Sequence, residues 1–168
     1  KMERIFPAWQ EQAILSAMIA THPYEEVADD IIALDNQNQQ VGSGLVGELP
    51  ESLSETVFLE LLKGKFNLSV IRHTPLLNKP VKKVALCGGA GSFLIGSAAA
   101  ARADFYITGD IKYHEFFDAD SRLVVADIGH YESEQFTIDL LFDILTQKFP
   151  TFAVLKTGVK TNPVHYFL

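Results

Sequence analysis

The stretch Val81-Lys82-Lys83-Val84-Ala85-Leu86-Cys87-Gly88-Gly89-Ala90-Gly91-Ser92 opens the most regular part of the chain. Its apolar run predicts a strand from Val81 to Leu86, and its small residues predict a loop from Cys87 to Ser92. Downstream, the pattern predicts a helix over 93–102, a buried strand over 105–107, a loop at Thr108-Gly109-Asp110 and a short helix over 113–117. A strand over 123–126, a turn at Asp127-Ile128-Gly129, a long amphipathic helix over 132–149 and a last strand over 152–155 complete it. Strands alternating with helices predict an α/β fold, a mostly parallel sheet with helices on both faces. In such sheets ligands collect beyond the carboxyl ends of the strands. The loops after the first three strands, 87–92, 108–110 and 127–130, therefore mark where a site is expected.

Working back toward the start, the turn residues Leu77-Asn78-Lys79-Pro80 separate this part from an earlier segment and predict a boundary there. In that earlier segment Glu3 to Phe6 reads as a strand. Pro7 opens a helix whose Ile14, Leu15, Met18 and Ile19 fall at helical spacing, and Val27 to Leu34 reads as a second strand. Gly42, Gly44 and Gly47 punctuate a short strand-like piece. Ser54 and Glu55 begin a helix through Leu62 with Gly64 at its end, and Leu68 to Arg72 follows as a strand.

Composition narrows the function. Within 168 residues, 14 basic against 21 acidic side chains give a formal charge of -7, which argues against a nucleic-acid surface. No apolar run approaches the roughly 20 residues of a membrane span, so no membrane partner is expected. A single cysteine, Cys87, excludes an internal disulfide and fits a reducing cytosol, so the expected location is cytoplasmic.

Three groups of residues carry chemistry. His130 and Glu134 lie four apart at a helix start, so an imidazole and a carboxylate share one face and can ligate one divalent ion or a pair, with Zn, Mn or Fe the metals this donor set suits. The same spacing also fits a first-turn ion pair that favours the helix dipole. Asp110 and His114, again one turn apart, are candidates for orienting or general-acid work, or else a helix cap and an exposed polar residue. Gly88, Gly89, Gly91 and Ser92 offer backbone N–H groups that suit a phosphate, or simply form a tight turn. Leu94 stands where a dinucleotide fingerprint needs a third small residue, and no Walker lysine is present. Cys87 reads as a small buried residue in preference to a nucleophile. His22-Pro23-Tyr24-Glu25-Glu26 reads as a solvated turn, while His73 and His165 read as surface or packing residues.

Taken together, Ile107-Thr108-Gly109-Asp110-Ile111-Lys112-Tyr113-His114-Glu115, Gly129-His130-Tyr131-Glu132-Ser133-Glu134 and Thr161-Asn162-Pro163-Val164 resemble the carboxyl-terminal half of the NIF-three-like family, also named GTP cyclohydrolase 1 type 2 homologues. His22-Pro23-Tyr24-Glu25-Glu26 and Gly42-Ser43-Gly44-Leu45-Val46-Gly47 resemble the end of the PII-like or CutA-like domain inserted in many members. The resemblance implies a partial ferredoxin-like α+β unit over 1–50 and an α/β half-domain over 51–168. It further implies two divalent metal ions with His130 and Glu134 among their ligands, a toroidal homohexamer, and hydrolysis of a small-molecule substrate such as a purine nucleotide. The alternative is a regulatory or small-molecule-binding module with a structural metal. The family's other ligands come from a His-His-Pro motif and an Asp of the amino-terminal half. No His-His pair occurs in this chain. The expectation is therefore a chain that starts within the inserted domain and carries half of the ligand set.

Overall fold

The computed structural model describes residues 3–24, 26–35 and 41–167. The chain divides into two compact units, Lys1–Asn38 and Gln39–Leu168.

The second unit is organised by its most apolar strands. Among the described residues, the helix α1 (Glu11–Thr21) belongs to the first unit. In the second are β1 (Leu45–Leu53), α2 (Glu55–Phe66), β2 (Arg72–His73), β3 (Val81–Ala90), α3 (Ile95–Ala100), β4 (Phe105–Gly109), β5 (Val124–Asp127), α4 (His130–Glu134) and α5 (Thr137–Lys148). Every residue of β4 and β5 is buried, as befits largely apolar strands covered on both sides, with Asp127 the one charged residue among them. The sheet order is β1-β3-β4-β5-β2. The β3–β4 and β4–β5 pairs are parallel, while the outer strands β1 and β2 are antiparallel to their neighbours. The α/β reading with a mostly parallel core therefore holds.

Alternation along the strands divides the core in two. Val84, Phe105, Ile107, Val124 and Ala126 face α2, whose Phe58 and Leu62 pack on them; Phe58 meets Phe105 edge to face at 4.9 Å. Ala85, Cys87, Tyr106 and Val125 face the other way, onto Ile95 and Ala98 of α3 and Ala119 of the 3-10 turn Tyr113–Ala119. Ser54 caps α2 by accepting the Val57 N–H at 3.4 Å. The helix passes through Gly64 and ends at Asn67, which takes the left-handed conformation at φ 53°.

Several expectations are corrected. The predicted loop at 87–92 is strand as far as Ala90, because β3 runs on alongside β4 until Ala90 pairs with Gly109. The turn at Leu77-Asn78-Lys79-Pro80 divides nothing: the buried Glu55 carboxylate accepts the Leu77 and Asn78 N–H groups at 2.8 and 2.9 Å and pins the turn to α2. Residue 50, where the inserted domain was expected to end, lies inside β1, which pairs with β3. The long helix expected over 132–149 starts at His130 and breaks between α4 and α5. There the Gln135 side chain donates to the Phe66 and Glu132 carbonyls at 2.9 and 3.0 Å, and Phe136 packs on Phe66. The strand predicted over 68–72 shrinks to Arg72 and His73. Residues 152–155 form none, since β2 already occupies the free side of β5.

The first unit carries the predicted helix, α1 (Glu11–Thr21), after a 3-10 turn at Ala8–Gln10. The strands expected over 3–6 and 27–34 do not form among its described residues. An extended segment without a paired neighbour has no ladder to hold it. In the turn that follows α1, the Tyr24 ring meets His22 edge-on at 5.1 Å, and Glu25 lies outside the described residues. No helix among the described residues is long and apolar enough to cross a membrane.

Two glycines in strands test this packing. A Cβ on Gly109 would lie 2.8 Å from backbone atoms of Gly129 and His130, whereas one on Gly47 would meet nothing within 4 Å. Gly109→Ala is expected to cost about 1–3 kcal/mol in chemical denaturation, with Gly47→Ala within about 0.5 kcal/mol of the parent.

Candidate functional site

The carboxyl ends of β4 and β5 deliver the site, and one buried carboxylate joins them. Asp127, the last residue of β5, is 4% exposed. One oxygen accepts the Ile111 N–H at 3.0 Å and pairs with the Arg72 guanidinium; the other accepts the Gly129 N–H at 2.9 Å. Arg72 also donates to the Ile111 carbonyl at 2.9 Å. The loop after β4 and the turn after β5 are thus tied to one point. Asp110 adopts φ 56° and Gly129 φ 91°, a conformation that glycine alone enters without cost.

This brings Asp110 and His130 together, 20 residues apart in sequence, with Oδ2 2.7 Å from Nδ1. The other ring nitrogen, Nε2, lies 3.3 Å from Glu134 Oε2 one helical turn on. All three side chains are about half exposed. The Asp110 hydrogen bond raises the His130 pKa above the ordinary imidazole value against a smaller opposing effect of burial, and the Asp110 and Glu134 charges add to the rise. Beneath this line a Cβ on Gly89 would stand 2.6 Å from Glu134 Oε1 and 3.3 Å from His130 Cε1, so the strand must present glycine there. Ser133 locks the approach, accepting the Gly89 N–H at 2.8 Å and donating to the His130 carbonyl at 2.7 Å.

Whether these residues suit a divalent ion can be judged from their spacing. Two ligand atoms each about 2.1 Å from one ion at a tetrahedral angle stand roughly 3.4 Å apart. The His130 Nε2 to Glu134 separation of 3.3 Å matches, and a carboxylate on Nδ1 is the common partner of a ligating imidazole. Asp110 faces the opposite nitrogen, so the three groups do not converge. Among the described residues no set of three His, Cys, Asp or Glu side chains is placed to hold one ion. The arrangement fits two donors of a larger set.

Beside the line opens a cleft of about 910 Å³. Glu132, residues 161–164 and Tyr166 line it as well. Asn162 Nδ2 donates to Glu132 Oε1 at 3.3 Å, and Asn162 Oδ1 accepts the Val164 N–H at 3.0 Å. The Tyr166 hydroxyl faces Glu132. Partial burial, then the Glu132 and Asp127 charges, push its pKa up, with Arg72 opposing.

Of the residues singled out by sequence, Asp110, His130, Glu134, Gly88 and Gly89 meet here. Gly88 lies against the Glu134 side chain. The Gly89 N–H, one of the groups expected to meet a phosphate, is taken by Ser133. Gly91 and Ser92 lie at the start of α3's approach: Gly91 accepts the Tyr106 hydroxyl at 2.7 Å, and Ser92 donates to Glu115 at 3.0 Å. His114 is exposed on the 3-10 turn and does not line the cleft. Cys87 is buried. Sequence reasoning put Asp127 in a loop expected to mark the site but gave it no role, and missed Arg72, Glu132 and Tyr166 as parts of the site. An Asp two residues before a Gly at a strand end was a signal for Asp127; Tyr166 had none.

Two outcomes follow. In metal-free protein, Asp110→Asn lowers the His130 pKa toward the ordinary value, read from imidazole proton shifts across pH. Because the folded value is raised, the Asp110–His130 pair stabilises the fold below the unfolded pKa, and this contribution is lost as pH rises through the folded value. Asp127→Ala removes three partners at once and is expected to cost about 3 kcal/mol or more in denaturant unfolding.

Comparison with known proteins identifies the family of the chain. Residues 10–163 match the family described as Duf34/NIF3 (NGG1p interacting factor 3). A protein of Listeria innocua named GTP cyclohydrolase 1 type 2 homolog is 40% identical over 131 residues, covering 77% of this chain and 35% of the relative. One of Mycobacterium leprae with the same name is 34% identical over 168 residues, covering 97% of this chain and 44% of the relative. The crystal structure of a Bacillus cereus protein related to NIF3 superposes with a TM-score of 0.75 at 32% identity, covering 96% of this chain and 46% of that one. The chain thus spans less than half the length of these relatives. With most of its residues matched by the family's pattern and its sheet superposed on a NIF3-related protein, the chain belongs to the Duf34/NIF3 family.

Proposed function

We propose that this chain supplies half of the donor set of a divalent metal site in a metal-dependent hydrolase, cytoplasmic and assembled as a homohexamer, whose substrate is a small molecule of the purine nucleotide class. The observation that carries the reading is the pair His130 Nε2 and Glu134 Oε2, 3.3 Å apart, with Nδ1 held by Asp110. The name GTP cyclohydrolase 1 type 2 homolog, borne by relatives, supports the substrate class.

His130 and Glu134 would hold the ion, of which Zn, Mn and Fe suit the donors. When bound, the ion supplies Lewis acidity and brings a water's pKa near neutrality. The chain's own residues do the rest. Asp110 keeps the proton on Nδ1, which leaves the Nε2 lone pair free and aims the ring. Gly88 and Gly89 keep side chains away from Glu134, and Ser133 fixes the strand beneath it. Asp110 is better placed than His114 to move a proton at this edge, since only Asp110 lines the cleft. The cleft beside it has room for a nucleotide-sized molecule.

Elemental analysis of the complete protein tests this. Stoichiometric metal is expected in the wild type and loss of most of it in His130→Ala and Glu134→Gln, with Asp110→Asn weakening affinity by about 10- to 100-fold. This chain alone is expected to retain little metal through gel filtration. A metal-free complete wild type would end the hydrolase reading. Full metal without turnover of any purine nucleotide would favour the regulatory module.

A further inference from the structure

Glu132 has no part in the proposed metal site, and the helix explains why. Residues two apart project about 200° apart around the axis, so Glu132 leaves α4 on a different side from His130 and Glu134. It points instead to Asn162 and Tyr166, which line the same cleft and fix its carboxylate. The fixing is close. A Cβ on Gly129 would collide with the Glu132 carboxylate and stand 3.4 Å from the Tyr166 hydroxyl. A carboxylate accepts about four hydrogen bonds. Asn162 and Tyr166 provide two, which leaves acceptor capacity on a carboxylate that lines the cleft. The same cleft is lined by Val70, Ile138 and Pro163, apolar groups that suit the flat faces of a ring.

We propose, resting on the hydrolase reading above, that Glu132 is the specificity-determining residue of this cleft and accepts N–H donors from an amino-substituted nitrogen heterocycle. Asn162 and Tyr166 are positioning residues that hold the carboxylate in one orientation. A ligand lacking the amino group leaves an acceptor shielded from water and unpaired, and the difference appears as selectivity of about 10-fold or more.

Guanosine and inosine are the probes, since they differ only by the exocyclic amine. Calorimetric titration of the complete protein is expected to show guanosine binding at least about 10-fold tighter. In Glu132→Gln the preference disappears, while metal content and amide-exchange protection over 159–167 stay as in the wild type; Glu132→Asp restores part of it. The proposal is overturned if the wild type binds neither nucleoside or both equally, or if the preference survives Glu132→Gln. It is overturned equally if that variant loses metal or frees 159–167, which would make Glu132 a ligand or a latch. Full metal with no nucleoside preference leaves the hydrolase reading standing without this one. A preference in a metal-free wild type does the reverse.

Discussion

Everything at the carboxyl edge of the sheet depends on the Asp127 carboxylate. A charge this deeply buried is tolerated only if its oxygens are satisfied, and here the partners come from three separate places: Arg72 on the edge strand β2, the Ile111 N–H after β4 and the Gly129 N–H after β5. Arg72 in turn lies over the Phe116 ring, 5.5 Å from its centre. The Ile128 N–H on the Thr108 carbonyl at 2.9 Å adds a backbone tie between the same two loops. Asp110 and His130 are the immediate neighbours of the tied residues. Their 2.7 Å contact is therefore set by the core, through strands with no exposed residue, and not by two mobile loops.

The second constraint is space. Gly89, Gly109 and Gly129 stand where α4 crosses the strand ends, and at each a Cβ would fall within 3 Å of a neighbouring atom. Removing side chains lets backbone and carboxylates approach until charge dominates. Among the described residues, Asp110, Asp127, Glu132 and Glu134 line the cleft together with Arg72 and His130. Arg72 is committed to Asp127. The His130 imidazole holds a proton more firmly than usual chiefly through its hydrogen bond to Asp110, with the Asp110 and Glu134 charges adding to it.

Those parts of the fold that rest on local pattern were legible in the sequence. The three parallel strands are apolar runs bounded by glycine, and the shared face of His130 and Glu134 follows from helical spacing alone. What was not legible depended on partners far along the chain. Gly88 and Gly89 read as loop because glycine is rare in strands, yet pairing with β4 carries β3 to Ala90. The break before α5 follows from Gln135 reaching Phe66, 69 positions away. Likewise the Glu132 wall joins α4 to residues about 30 positions on, and the two strands expected in the first unit lack the paired neighbour that would make them strands.

The same separation of local from distant explains how a chain spanning under half of its relatives can hold a well-formed part of a site. The contacts that aim His130, Asp110 on one nitrogen and Ser133 on its carbonyl, lie within residues 89–134, as do those that place Glu134 over Gly89. Under the proposed function, two donors leave most of an ion's coordination to water or to other donors, so the contacts above set the orientation of the ring while the number of donors at the same point sets occupancy.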